Sequence, residues 1–249
     1  MTSNTTTRRT VLRGAAWTAP AVVVAGSAPA LAASPCEPTP VTVDWESARY
    51  TRQSATSGYY TIPLSDDTTI TMQISSSFTG GMEPGGVAGD GGTANDNLRL
   101  SSFIIGGTGE RGLVLHQNDR RYPRYAGYNG VQTVTFTFDR QVSTLDFDVT
   151  DIDAQRGDFR DAVSVSSNLV GTPAEGVTRE TYNGGAWYRS TSYSLVNNAL
   201  GTNNLRVHGE NVTTFQVKYA NWDRAYTGVD RDQRVFLTDF RLTVPPVGC

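Results

Sequence analysis

The stretch Val134-Thr135-Phe136-Thr137-Phe138-Asp139-Arg140-Gln141-Val142-Ser143-Thr144-Leu145-Asp146-Phe147-Asp148-Val149-Thr150-Asp151-Ile152-Asp153 decides the fold. Val134, Phe136 and Phe138 alternate with threonines, and Leu145, Phe147 and Val149 alternate with Asp146, Asp148 and Thr150. Period-two alternation sends one set of side chains inward and the other to water, the pattern of a half-buried antiparallel strand. The passage reads as two strands joined by a short Asp139-Arg140-Gln141 turn, the second ending in an acidic loop.

The same rhythm extends in both directions. Ile70, Met72 and Ile74 alternate with polar neighbours, Val163 and Val165 follow, then Val212 to Tyr219, and finally Phe236, Phe240 and Leu242. Val41–Tyr50, Tyr59–Leu64, Leu98–Ile105, Gly112–His116 and Leu205–His208 are further candidates, giving about eleven short strands. No 3.6-residue apolar stripe is convincing downstream of the first thirty residues, and no fixed-period repeat points to a solenoid or propeller. The expected fold is all-β, a single antiparallel β-sandwich of jelly-roll type over residues 33–249. Two segments interrupt it: the glycine-rich Thr79–Asn97 and the Arg- and Tyr-rich Asp119–Gly130.

Residues 1–32 carry an address. Thr7-Arg8-Arg9-Thr10-Val11-Leu12-Arg13 precedes an uncharged run to Leu31, closed by Ala30-Leu31-Ala32. A basic start, a short apolar run and a small-residue cleavage site make a secretory signal. The Arg8-Arg9 pair resembles the twin-arginine export signal, which implies passage through the twin-arginine translocase and residence outside the cell. Cleavage after Ala32 removes three arginines and takes the formal charge from −3 to −6. An acidic chain without a Lys/Arg block gains nothing from counterion release, so nucleic acid is excluded. No apolar stretch suits an integral membrane protein. Among 21 basic residues the only lysine is Lys218.

Cys36 and Cys249 are the two cysteines. In an oxidising compartment they read as one disulfide bracketing the domain, contributing at most ~5 kcal/mol. Lipidation of Cys36 ranks lower, since Ala33-Ser34-Pro35 separate it from the cleavage site.

The opening passage resembles the F-x-F-x-x-x-V-x-x-L-x-F-x-I-x-D-I-D pattern of lectin-like jelly-roll domains in bacterial fibrillar surface adhesins. The likeness is close over about twenty residues and extends elsewhere only as strand rhythm. It implies an extracellular binding module without catalytic machinery. Adhesive repeats and a cell-wall sorting signal are not found in this sequence, which favours free secretion over covalent display.

Three kinds of site are expected. Exposed aromatic rings stack on the C–H faces of sugars, and the candidates are Tyr122, Tyr125 and Tyr128; Tyr182, Trp187 and Tyr188; and Trp222, Asp223 and Tyr226. Trp45 reads as a core residue instead. Asp151, Asp153, Asp158 and Asp161 could offer hard oxygens to calcium, although the spacing departs from the EF-hand loop and solvated loop acids or arginine partners such as Arg156 and Arg160 are the commoner explanation. Arg156-Gly157-Asp158 is an integrin-type tripeptide of the kind that recurs by chance. No cofactor other than calcium is implied.

For catalysis the sequence offers little. His116 and His208 stand at strand ends without a nucleophile motif. Glu46, Glu110, Glu180 and Glu210 could supply an acid pair for glycoside cleavage, but single acids on strands more often face solvent. The reading is a secreted, non-catalytic binding or adhesion module for carbohydrate or another cell-surface polymer. A polysaccharide-active jelly-roll enzyme and a structural matrix protein are the alternatives.

Overall fold

The computed structural model describes residues 37–64, 67–85, 96–119, 130–156, 159–196, 200–222 and 233–246, all in one compact unit spanning Pro35–Cys249. The leader with Arg8 and Arg9, and both cysteines, lie outside the described residues.

Two long strands organise the molecule: β7 (Val131–Thr150) and β13 (Leu205–Asn221). They pair antiparallel from Val131↔Ala220 to Val149↔Leu205. Beside the first half of β7 lies β4 (Thr69–Phe78), followed by β3 (Ser57–Pro63) and β2 (Tyr50–Arg52). Beside the last residues of β13 lies β9 (Phe159–Val165), followed by β12 (Gly185–Ser190) and β11 (Val177–Tyr182), with β8 (Ala154–Gln155) on β9. These strands make one layer.

The other halves of β7 and β13 belong to a second layer. β10 (Leu169–Pro173) pairs with β13, and β14 (Arg234–Leu237) and β15 (Phe240–Val244) run end to end along β7. β1 (Thr39–Val43) adds to β15, while β6 (Leu113–Asp119) and β5 (Met82–Pro84) add to β14. Every pairing is antiparallel. Rings from the two layers meet between them: Phe136 and Phe215 lie 5.3 and 5.8 Å from Phe240, and Trp45 lies 6.0 Å from Tyr60. The expected antiparallel sandwich of jelly-roll type is the fold.

One expectation is corrected at its centre. Asp139-Arg140-Gln141 is not a turn between two strands; it lies within the single strand β7. The register with β13 shifts between Val212 and Thr214, so Phe138–Gln141 face Thr213 alone. Asn211, at φ 53°, helps bend the partner strand. Buried positions run Gln132, Val134, Phe136 and Phe138, then Val142, then Leu145, Phe147 and Val149. The apolar set stays on even numbers through Val142, past the extra residues, and passes to odd numbers across Ser143-Thr144, opposite Glu210-Asn211, so both halves face the core while the strand crosses from one layer to the other. Asp139 accepts the Thr71 backbone N–H at 2.9 Å, and Gln141 donates to the Asn211 carbonyl at 3.1 Å, fixing the corner.

Two predicted strands contract. Leu98–Ile105 forms isolated bridges, Leu100 to Leu113 and Ile105 to Glu110, because Gly106 and Gly107 turn the chain with positive φ. Val41–Tyr50 ends as a strand at Val43, where Ser47 donates its backbone N–H to the Asp44 carbonyl. Trp45 takes its predicted core place, its indole donating to the Thr238 carbonyl at 2.9 Å.

Candidate functional site

β11 and β12 form a hairpin with Tyr182 opposite Gly185, which leaves Asn183-Gly184 as a two-residue loop. Both loop residues have positive φ, 49° and 75°, the geometry of the turn that matches strand twist and that Asn-Gly favours. The register sets Glu180 opposite Trp187, with Tyr182 on the same face. Trp222, just past β13, meets both rings: Tyr182 edge-on at 5.5 Å and Trp187 at 5.6 Å. Trp222 is buried in this contact, while Tyr182 and Trp187 keep part of their surface in solvent. Arg189 bonds Glu180, whose carboxyl is held below its ordinary value first by that hydrogen bond.

The other expected rings divide. Tyr188 is buried and donates its hydroxyl to the Gly171 carbonyl at 3.1 Å, so it packs β12 against β10 rather than offering a stacking face. Tyr122, Tyr125, Tyr128, Asp223 and Tyr226 lie outside the described residues.

Beside the hairpin lies a cleft of about 770 Å³, framed by β9, β10, β12, β13 and the start of β11. β12 pairs with β9 only at Tyr188 and Arg189, and Ser164 bridges beyond them by donating to the Ala186 carbonyl at 2.6 Å. The residues around the opening include Ser164, Ser166, Gln216, Lys218, Arg179 and the exposed Val170. Sequence reasoning missed this cleft. The Asn183-Gly184 signal was present and would have set the hairpin; the approach of β10 rests on tertiary pairing that no local pattern announces.

The acidic loop is drawn inward. Asp161 is fully buried, accepting from the Tyr219 hydroxyl at 2.6 Å, Gln233 at 3.1 Å and the Asp153 backbone N–H at 3.3 Å. Asp153 in turn accepts the Val196 backbone N–H at 2.9 Å. Burial, then the neighbouring Asp153 charge, pushes Asp161 well above the ordinary carboxylate range, and Asp151 is pushed up to about 8 by the same causes. These carboxyls form a cluster, but among the described residues no group of three or more His, Cys, Asp or Glu is arranged to hold a metal ion. The oxygens of Asp153 and Asp161 face donors of their own chain. Asp158 lies outside the described residues.

The acids considered for glycoside cleavage are dispersed. Glu46 pairs with Arg111 at 3.5 Å, Glu110 with Arg241 at 3.9 Å, Glu180 with Arg189, and Glu210 lies 3.8 Å from His208. None of the four lines the cleft. His116 is buried against Asp96, and His208 bonds Asp146 at 2.8 Å, which raises its pKa. Arg156 stacks over Tyr193 at 5.0 Å, next to Arg160 at 4.7 Å; the rest of the tripeptide, Gly157-Asp158, lies outside the described residues.

No family model matches the chain, and no curated protein matches its sequence. A solved structure of a carbohydrate-binding module, TmCBM27, described for specific mannan recognition, is similar over 59% of this chain and 84% of its own. The identity is 15% and the TM-score 0.28, a likeness too loose to carry an argument about ligand or site.

Proposed function

We propose that this protein is a secreted, non-catalytic module that binds carbohydrate or a related extracellular polymer. The observation that carries the reading is the partly exposed Tyr182–Trp187 face, backed by Trp222, beside an open cleft of about 770 Å³. Rings held by a rigid hairpin offer flat apolar surface at little entropic cost, and sugar rings present matching C–H faces. The four glutamates considered as acids lie outside that cleft, which favours retention of a ligand over its cleavage.

A glycan array tests this directly. Binding without turnover is the expected result, and Trp187→Ala should weaken it by about tenfold or more, in line with an aromatic contact at the centre of an interface. Unchanged binding by that variant, or release of reducing ends from the bound polymer, would overturn the reading. The export part rests on the leader. Replacing Arg8-Arg9 with Lys-Lys should hold precursor inside the cell, and undiminished secretion would refute twin-arginine export.

A further inference from the structure

The charge around the cleft runs against the charge of the chain. Acidic residues outnumber basic ones, 24 to 21, yet the residues lining the cleft include Lys218 and Arg179 and no Asp or Glu. Lys218 is the chain's single lysine, half-buried on β13, and Arg179 is exposed on β11. Neither makes a side-chain hydrogen bond or ion pair among the described residues. Arginines elsewhere do face carboxylates, among them Arg111, Arg189, Arg206, Arg234 and Arg241. Of the neutral polar side chains of the cleft, Ser164 bonds the Ala186 carbonyl, Ser166 bonds Asn168 and Gln216 bonds Thr135, while Ser167 is exposed. The charged groups that line the cleft are therefore both cations.

We propose that the cleft selects an acidic polysaccharide, one whose sugars carry carboxylate or sulfate groups. This rests on the carbohydrate reading above and narrows it. Partial burial of Lys218 strengthens its attraction for an anion relative to a fully hydrated amine. Arg179 offers a planar fork suited to a carboxylate or a sulfate. The strands that carry the two charges are separated by β12 and β9, so a ligand that meets both spans more than one sugar ring. Val170, 65% exposed at the rim, gives such a chain an apolar edge to lie against.

The test uses matched pairs differing in charge: pectate against methyl-esterified pectin, and dextran sulfate against dextran. The mature protein is expected to bind at least one charged member about tenfold more tightly than its neutral partner, with affinity falling as salt rises. Lys218→Met and Arg179→Gln should each remove most of that preference while shifting the melting temperature by no more than about 2 °C. Trp187→Ala should weaken the charged and neutral members alike. Preference for pectate over dextran sulfate, or the reverse, identifies which anion the cleft takes. Equal affinity within both pairs, or a charge preference untouched by both cleft substitutions, overturns the proposal. Equal binding of charged and neutral members that still depends on Trp187 overturns the proposal alone and leaves the carbohydrate reading standing. No binding to any polysaccharide overturns the carbohydrate reading together with it.

Discussion

The same buried face of β7 and β13 is built in opposite ways at its two ends. Near the corner, Phe136 and Phe215 stack at 4.7 Å and 9°, and Phe147 and Phe240 close around them. Four residues along, Tyr219 faces Gln132, and Asn221 faces Asp161. There the interior is a chain of donors and acceptors: Tyr219 and Gln233 to Asp161, Gln117 to Gln233, and Gln132 to Asn97. The aromatic end is held by contact area, which is non-directional and survives modest changes of shape. The polar end needs every partner in place, because an unpaired polar group in a low-dielectric interior costs more than the bond contributes. One end supplies most of the stability; the other fixes which residues stand where β9, β13 and β14 come together.

The largest effect should come from the aromatic end. Phe215→Ala removes the ring that touches Phe136, Phe138, Phe147 and Phe240 and should cost about 3–5 kcal/mol in denaturant unfolding, with Phe215→Leu costing a fraction of that. If the two substitutions cost the same, volume is not what holds this end.

Asp161→Ala tests the polar end. It removes the carboxylate that accepts from the Tyr219 hydroxyl and the Gln233 amide and should cost about 2–3 kcal/mol, whereas Asp161→Asn, which retains a carbonyl acceptor, should cost less. Equal losses for the two would mean that the buried carboxyl acts through its charge and not through those bonds.

Acidity separates the two ends most finely. Asp151 is raised to about 8, Asp239 to about 6, chiefly by burial, and Asp161 is raised as well. A carboxyl whose folded pKa lies above its unfolded value binds protons more tightly when folded. Its stabilising contribution is complete below about pH 4 and is lost as pH rises through the folded pKa. The melting temperature should therefore fall between about pH 5 and pH 8, and Phe215→Leu should leave that slope unchanged. Asp151→Asn should flatten the slope and raise the melting temperature at pH 8 by a few degrees. Asp151 sits at φ 67°, a conformation asparagine tolerates, and its buried Oδ1 has no hydrogen-bond partner. A slope unchanged in that variant would remove Asp151 as its source.

The aromatic end was legible in the sequence because it is periodic. Phe136, Phe138, Phe147 and Phe215 sit on alternating positions, and alternation is all a sheet needs to choose its inner face. The bulge at Phe138–Gln141 was misread because a three-residue polar break looks alike whether the chain reverses or merely bulges. The polar end was legible only as residue types. Asp153 and Asp161 read as calcium ligands, solvated loop acids or arginine partners, and Gln233 carried no signal, since their partners lie 8 to 72 residues away in sequence. Of the candidate site, the sequence named Tyr182 and Trp187 in one group, together with the buried Tyr188, and Trp222 in another; that Trp222 meets the first two rings, and that Lys218 and Arg179 stand around one cleft, came only with tertiary pairing.

The position of β15 between β1 and β7 has a mechanical consequence. β1 and β15 are antiparallel, with Thr39 opposite Val244 at the end of the ladder where the chain enters and leaves both strands. A load applied through the flanking residues pulls across this ladder, so its rungs open in succession from Thr39–Val244 toward Val43–Phe240, like a zipper. Pro40, the second rung, donates no backbone hydrogen bond to resist it. Tethered at both ends, the bare sandwich would yield to weak force by peeling its own edge. A covalent clasp immediately outside those two strands, such as the bridge expected between Cys36 and Cys249, would take the tension before it reached the first rung.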